Sequence, residues 1–177
     1  MPLPESAPAP ANWFGDPFVQ VSAAVAGCPE PLGPRATPAE RLAQSHHRAE
    51  RGTTCFLQGQ CSEPSAYRYD ADIARAVVQA LRQSPRVAQG TLWVTVQGRD
   101  VFIEGCAPAA QATATEAERL ARQVPQVLAA VAAVFDGQGP APYRTWPNAP
   151  VGGAAQAGSG SASAEPQATG SGAGRPK

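Results

Sequence analysis

The chain has 177 residues, with 14 basic and 14 acidic side chains and no run of lysine or arginine. Because 36 of its apolar residues are alanine, it can form one modest hydrophobic core rather than two. The zero net charge argues against a nucleic-acid-binding protein, and no apolar stretch reaches the roughly 20 residues of a membrane-spanning helix. We therefore expect one small folded domain and no transmembrane segment.

The amino-terminal part predicts one helix in an otherwise irregular extension. Residues 1–12 are rich in proline and are expected to be disordered, and residues 13–68 form a cysteine-bearing extension. Thr37, Pro38 and Glu40 are typical of a capping box with proline at the first helical position, and Arg51-Gly52 indicates a helix end. The pattern predicts a helix over about 38–51. Its thin apolar stripe indicates an accessory element that lies on a surface.

Residues 69–136 predict a compact α+β domain. Asp70 is expected to cap a second helix, which ends before Pro85. Period-two alternation over 92–96 and 101–104, around Gly98-Arg99, predicts a β-hairpin with a two-residue turn. A third helix follows Pro108, and residues 126–135 predict a last strand. The expected order is α-β-β-α-β, a three-stranded sheet with two helices on one face.

The carboxy-terminal part, residues 137–177, consists mainly of Gly, Ser, Ala, Pro and Gln. This composition offers little apolar burial to offset the entropy lost on ordering, so we expect a disordered tail. Tyr143 and Trp146 are its two candidates for docking on the core.

The compact region resembles the BON domain, a module named after bacterial osmotically inducible and nodulation proteins. The resemblance rests on the element order and on five short motifs, Tyr69-Asp-Ala-Asp72-Ile, Ala80-Leu81, Val94-Thr-Val96, Val101-Phe-Ile103-Glu-Gly105 and Ala121-Arg-Gln-Val124-Pro-Gln-Val127. It implies an envelope-associated module that binds phospholipid surfaces or acts in periplasmic protein assembly, with no catalytic residues. The family's usual glycine before the last strand is Gln126 here, which leaves the geometry of that turn open.

The four cysteines form an even set in a chain with a small core, a usage that favours disulfides. Cys55 and Cys61 enclose a short loop in which Gly59 permits a reversal, so proximity favours their pairing. Cys28 is then left for Cys106. The hairpin register supports this second pair, because Cys106 lies on the sheet face opposite the helices, which only the extension can reach.

A small metal-binding or thiol redox protein, using His46, Cys55 and Cys61, is the alternative interpretation. The five residues between the cysteines exceed the usual spacing of zinc ligands, and the adjacent histidines point about 100° apart on a helix. We accordingly assign no catalytic, cofactor-binding or metal-binding residue.

Trp93 and Phe102 are the candidate interaction-surface residues. The hairpin register places them with Thr95, Glu104 and Cys106 on the outer face of the sheet, away from the helices. Two readings remain open. The aromatic pair is an exposed interaction patch, or the extension folds over it and covers it.

Compartment and function follow from these observations together. The amino-terminal residues lack the features of a signal peptide, which favours the cytoplasm, whereas the cysteines favour an oxidising compartment. We expect a periplasmic protein, with the cytoplasm as the alternative. We also expect a non-enzymatic module in envelope maintenance or stress that binds a protein or a phospholipid surface. The six arginines and seven acidic residues of 70–136 favour a protein partner, because they attract anionic lipid only weakly.

Overall fold

The computed structural model describes residues 8–146. Its strands are β1 (Phe18–Ala23), β2 (Thr91–Gln97), β3 (Asp100–Cys106) and β4 (Ala129–Phe135). Its helices are α1 (Pro38–Glu50), α2 (Thr53–Leu57), α3 (Asp70–Arg82), α4 (Pro85–Ala88) and α5 (Ala110–Arg122), with a 3-10 turn at Ala66–Tyr69. The mixed α/β class is confirmed. Within the described residues, no helix is long and apolar enough to cross a membrane.

The sheet has four strands in the order β1-β2-β3-β4, so the expected three-stranded sheet is wrong. Strand β1 comes from the extension and pairs antiparallel with β2, whose edge would otherwise lack a partner. The element order also differs from the predicted one, because Ser84-Pro85 not only ends α3 but also begins a further short helix. Ser84 accepts a hydrogen bond from the Val87 amide at 3.3 Å and starts the one-turn helix α4.

The hydrophobic core lies between the sheet and helices α3 and α5. Ile73, Val77 and Leu81 of α3 are buried at the predicted helical spacing. In the hairpin Val94 pairs with Ile103, and Val96 with Val101, which confirms the predicted register. All four of these strand side chains are fully buried, at 0% exposure. The alternation in the sequence therefore fixes which side chains are left for the opposite face.

Asp70 does not cap α3, contrary to prediction. Tyr69 occupies the N-cap position, and the buried Asp70 carboxylate accepts hydrogen bonds from the amides of Gly98 at 2.6 Å and Arg99 at 2.7 Å. Both turn residues have positive φ, 59° and 73°, and their amides need an acceptor that the hairpin itself does not offer. Burial raises the pKa of Asp70, although these two amides partly offset it. Asp70 thus anchors the start of α3 to the hairpin turn.

The turn before β4 is built on Gln126, and the strand itself begins at Ala129 rather than at 126. Gln126 adopts a left-handed conformation with φ 71°, which glycine adopts more readily than any other residue. The Arg99 guanidinium donates to the Gln126 backbone carbonyl at 2.8 Å and to its side-chain oxygen at 2.9 Å. This contact joins the two turns.

Substitutions at Gln126 separate backbone strain from hydrogen bonding. We expect Gln126→Ala to lower the free energy of unfolding by about 1 kcal/mol, because it loses the side-chain bond to Arg99 and keeps the left-handed backbone. Gln126→Gly also loses that bond but relieves the strain, so it should be more stable than the alanine variant by about 1 kcal/mol. Urea denaturation of both variants measures the difference. A glycine variant that is less stable than the alanine variant contradicts this explanation.

Helix α1 forms as predicted, with its capping box. The Glu40 amide donates to the Thr37 hydroxyl at 3.3 Å, and the Thr37 amide donates to the Glu40 carboxylate at 2.8 Å. These bonds from Thr37 lower the pKa of Glu40. At the amino-terminal end, Ala11 pairs with Ala36 in an isolated bridge. The extension is therefore tied to itself before it reaches the domain.

The described structure continues ten residues beyond the boundary predicted at 136. Tyr143 donates a hydrogen bond from its hydroxyl to the Pro29 carbonyl at 2.8 Å, and the Trp146 amide donates to the Glu30 carbonyl at 2.8 Å. The first part of the predicted tail thus lies against the extension, because it brings two aromatic side chains that can be buried there. The remainder of that tail, 147–177, and residues 1–7 lie outside the described residues.

Candidate functional site

The outer face of the sheet is covered at one end and open at the other. Trp93 is 8% exposed, whereas Phe102 is 37% exposed. The structure therefore separates the two candidate interaction residues: Trp93 lies under a cover, and Phe102 reaches the surface. The interpretation of a covered face therefore holds for the end at Trp93, and that of an exposed face holds for the end at Phe102.

The cover consists of the extension. Phe18 of β1 lies opposite Thr95 on the outer face, and a Cβ on Gly33 would come within 2.7 Å of the Phe18 ring. The segment around Gly33 therefore packs directly over this face. Arg35 stacks on the Phe18 ring at 5.0 Å and on the Trp146 ring at 4.4 Å. These contacts join the extension, the sheet and the last described residues.

The sulfurs of Cys28 and Cys106 lie at disulfide distance, and their Cα atoms are 5.8 Å apart. Cys106 is fully buried at the end of β3, so the bond ties the extension to the outer face. Next to it, the rings of Phe135 and Tyr143 meet edge to face, with centroids 6.0 Å apart. This end of the face is closed by covalent and aromatic contacts.

A buried ion pair holds the extension at the other side of the cover. Arg48 of α1 donates two hydrogen bonds to Asp16, at 2.9 and 2.6 Å, and Gln97 of β2 donates to the same carboxylate at 2.7 Å. The Arg48 guanidinium lies between the rings of Phe14 at 4.0 Å and Tyr67 at 3.7 Å. Helix α1 is thus an integral part of the cover rather than a loosely attached accessory.

The open end surrounds the hairpin turn. Phe102 pairs with Val131 across β3 and β4, and Val131 is 54% exposed. Leu128, 61% exposed, donates its amide to the Arg99 carbonyl at 3.0 Å. An Arg99 guanidinium nitrogen lies 3.7 Å from the Cys61 sulfur. Three exposed apolar side chains, Phe102, Leu128 and Val131, therefore lie at this end, and the contact between Arg99 and Cys61 joins it to the loop that carries the exposed Phe56 and Leu57. We call these five residues the hairpin-end surface.

Cys55 and Cys61 also lie at disulfide distance, with their Cα atoms 5.4 Å apart. The two cysteines of the metal or redox alternative are therefore engaged with each other. His46 is exposed on α1, and its imidazole Nε2 lies 3.9 Å from a Glu50 carboxylate oxygen. Across residues 8–146, the structure brings together no group of three or more potential metal ligands.

The two arginines that line the cleft beside Phe102 are already paired. A cleft of about 190 Å³ beside Phe102 is lined by Arg48, Arg51 and Tyr67 among others. Arg48 binds Asp16, and Arg51 forms an ion pair with Asp100. These arginines are therefore neutralised within the protein, and attraction to an anionic group in this cleft is weak.

Glu104 is a charged group on the covered part of the outer face. Burial raises the pKa of Glu104 above its usual value of 4.5, and within the described residues no bonding partner contributes to this shift. Burial, followed by the charge of Glu104, raises the pKa of Tyr143 as well. Ionised Glu104 is thus a destabilising feature created by the cover.

Replacing this carboxylate should stabilise the protein. The ionised form of Glu104 is disfavoured in the fold, so it lowers the free energy of unfolding above the folded-state pKa. This loss of stability disappears as pH falls through that pKa. We expect Glu104→Gln to raise the free energy of unfolding by up to about 1 kcal/mol at pH 7, with the gain shrinking on acidification towards pH 4.5. Thermal denaturation across this pH range measures it, with Glu50→Gln on exposed α1 as the control. A destabilised Glu104→Gln protein would show that the carboxylate has a partner.

Comparisons with known proteins identify the domain. Searches of curated proteins and of solved structures find no match to this chain. The family model of the BON domain matches residues 69–131, the segment from the 3-10 turn before α3 into β4. BON domains are envelope-associated and generally non-enzymatic modules of a phospholipid-binding type. This chain therefore contains a BON domain, whose outer sheet face is partly covered by its own amino-terminal extension.

Proposed function

We propose that this protein is a non-enzymatic, periplasmic BON-domain module that binds a phospholipid surface through its hairpin-end surface, in the maintenance of the cell envelope. The observation that carries the proposal is that Phe102 and Val131 are exposed at the end of the outer face that the extension leaves open. The exposed Leu128 and the loop that carries Phe56 and Leu57 both contact Arg99 in the hairpin turn at this end. The BON match supports a membrane surface as the partner. The two cysteine pairs at disulfide distance support an oxidising compartment.

The charge balance of the domain favours a protein partner because it argues against lipid binding through charge. It does not argue against lipid binding through inserted apolar side chains. Attraction of basic side chains to anionic headgroups requires free cations, and Arg48 and Arg51 are paired. Insertion of apolar side chains into the headgroup region depends on apolar area instead. The proposed binding should therefore be largely insensitive to salt, unlike binding through a basic patch.

Vesicle flotation of the full chain tests this function. With vesicles of phosphatidylethanolamine and phosphatidylglycerol, we expect the protein to float at both low and high salt. If the protein floats at neither salt concentration, the result contradicts a lipid partner and leaves a protein as the partner of the hairpin-end surface. Flotation that is lost at high salt also contradicts the proposal, because it indicates binding through charge.

A further inference from the structure

We propose that the loop closed by Cys55 and Cys61 inserts Phe56 and Leu57 into the headgroup region of the bilayer and anchors the protein there. This inference rests on the proposed lipid-binding function and assigns it to one segment. The loop lies outside residues 69–131, the part that matches the BON family. It is therefore a feature that this chain adds to the domain.

The side chains of Phe56 and Leu57 are exposed to solvent rather than packed in the core. Helix α2 contains no buried residue, and Phe56 is 41% exposed and Leu57 78% exposed. From Thr53 to Ser62 the sequence contains no charged residue. Transfer of this segment from water into the headgroup region thus buries apolar surface without removing a charge from water.

The backbone of the loop is also suited to a poorly hydrated environment. The amides of Gln58, Gly59 and Gln60 donate to carbonyls within the segment, at 3.0, 3.0 and 2.9 Å, and the Phe56 amide donates to the Gly52 carbonyl at 3.1 Å. Because these donors are satisfied internally, insertion leaves few unpaired amides. An edge that recruited an extended peptide would instead offer unpaired amides.

The base of the loop is fixed to the BON domain. The Tyr69 hydroxyl contacts the Ser62 hydroxyl at 3.0 Å and accepts the Glu63 amide at 2.9 Å. These bonds lower the pKa of Tyr69, the one with Ser62 most. The cysteine pair closes the loop itself, although the loop adds no side chain to the core. We infer that this closure holds Phe56 and Leu57 in a protruding position.

The size of the protrusion favours lipid over protein. A stable protein interface buries at least about 1,000 Å² and needs a complementary surface, whereas two adjacent side chains supply only a small part of that area. A bilayer accepts protruding apolar side chains without a matching pocket. Phe56 and Leu57 therefore suit a lipid anchor of modest strength that acts together with Phe102 and Val131.

The test compares matched serine variants in flotation with vesicles of phosphatidylethanolamine and phosphatidylglycerol. We expect Phe56→Ser with Leu57→Ser to weaken vesicle binding by about tenfold or more, since partial insertion of the two side chains together favours binding by at least roughly that factor. Leu42→Ser, at an equally exposed apolar position on α1 (76%), should bind like the parent chain. Circular dichroism and thermal denaturation establish that each variant is folded.

The outcomes separate the anchor from the function. If the parent chain floats and the double variant floats equally well, the loop is not the anchor, and the lipid-binding function stands. If the parent chain does not float, the function fails and the anchor fails with it. A direct readout uses Leu57→Trp with brominated lipids, which should quench more fluorescence than in the parent chain. Floating protein without additional quenching overturns the anchor.

Discussion

Replacing Cys28 and Cys106 by serine is expected to cost the protein about 4 kcal/mol of its free energy of unfolding. The bond spans a sequence separation of 78, and the chain-entropy relation gives a value near 4–5 kcal/mol for such a loop, as an upper figure. This is a large share of the total stability of a small domain. Denaturation in urea, with and without reductant, measures the loss.

The same variant should uncover Trp93. Without the bond to Cys106, the extension keeps β1 and the Asp16–Arg48 pair but loses its covalent attachment, so Trp93 fluorescence should become more accessible to a soluble quencher. A fragment beginning near Ser65, which lacks the extension altogether, should fold marginally and self-associate through the exposed face. The control is the Cys55→Ser, Cys61→Ser variant, whose short loop is worth roughly 2 kcal/mol and whose Trp93 should stay covered. Equal stability and equal quenching in the parent chain and the Cys28→Ser, Cys106→Ser variant would disprove the pinned extension.

Replacing Arg48 by methionine is expected to destabilise the protein by about 3–5 kcal/mol. Asp16 is 5% exposed and would be left as a buried carboxylate with Gln97 as its remaining side-chain donor. Methionine keeps apolar contact between the rings of Phe14 and Tyr67, so the loss reports mainly on the unpaired charge. Lysine should not restore the stability, because it cannot make two parallel bonds to the carboxylate or stack on both rings.

A second substitution tests the cause. The double variant Arg48→Met with Asp16→Asn lacks both charges of the buried ion pair. We therefore expect it to regain a large part of the stability that Arg48→Met loses. The measurement is chemical denaturation of the two single variants and the double variant. If the double variant is as unstable as the sum of the single variants, Arg48 and Asp16 act independently, contrary to the structure.

The sequence predicted the parts of the fold that depend on local patterns. The hairpin register follows from alternation over seven-residue strands, so the inner valines, the outer position of Trp93 and the direction of Cys106 could all be deduced. The capping box at Thr37 specified the start of α1 in the same way. These features depend on neighbours a few residues apart, and the rules for such neighbours are strong.

The features that were missed depend on distant partners. The sequence does not predict the six-residue strand β1, because nothing within Phe18–Ala23 shows that the edge of β2 needs a partner. Asp16 and Arg48 are 32 residues apart, and Asp70 reaches a turn 28 residues away. A carboxylate at a helix start resembles a cap in sequence, and only the positive φ of both turn residues reveals the amides that it serves.

The candidate surface was visible in part. Strand parity predicts the outward position of Phe102, whereas the sequence indicates Leu128 and Val131 only as part of a strand. The uncharged loop that holds Phe56 and Leu57 between two cysteines is a further signal that the sequence offers. Its exposure depends on how the loop meets Arg99 and Tyr69, which the sequence does not show.

Hydrogen exchange of the full chain, with and without phosphatidylglycerol-containing vesicles, tests the central claim most directly. The claim is that the hairpin-end surface faces the lipid while the covered end of the sheet does not. We expect vesicles to slow exchange in the Cys55–Cys61 loop and in the Gln126–Leu128 turn and to leave α1 around Leu42 unchanged. Slowed exchange in α1, or no change at either hairpin-end segment in protein that has bound vesicles, would contradict the account.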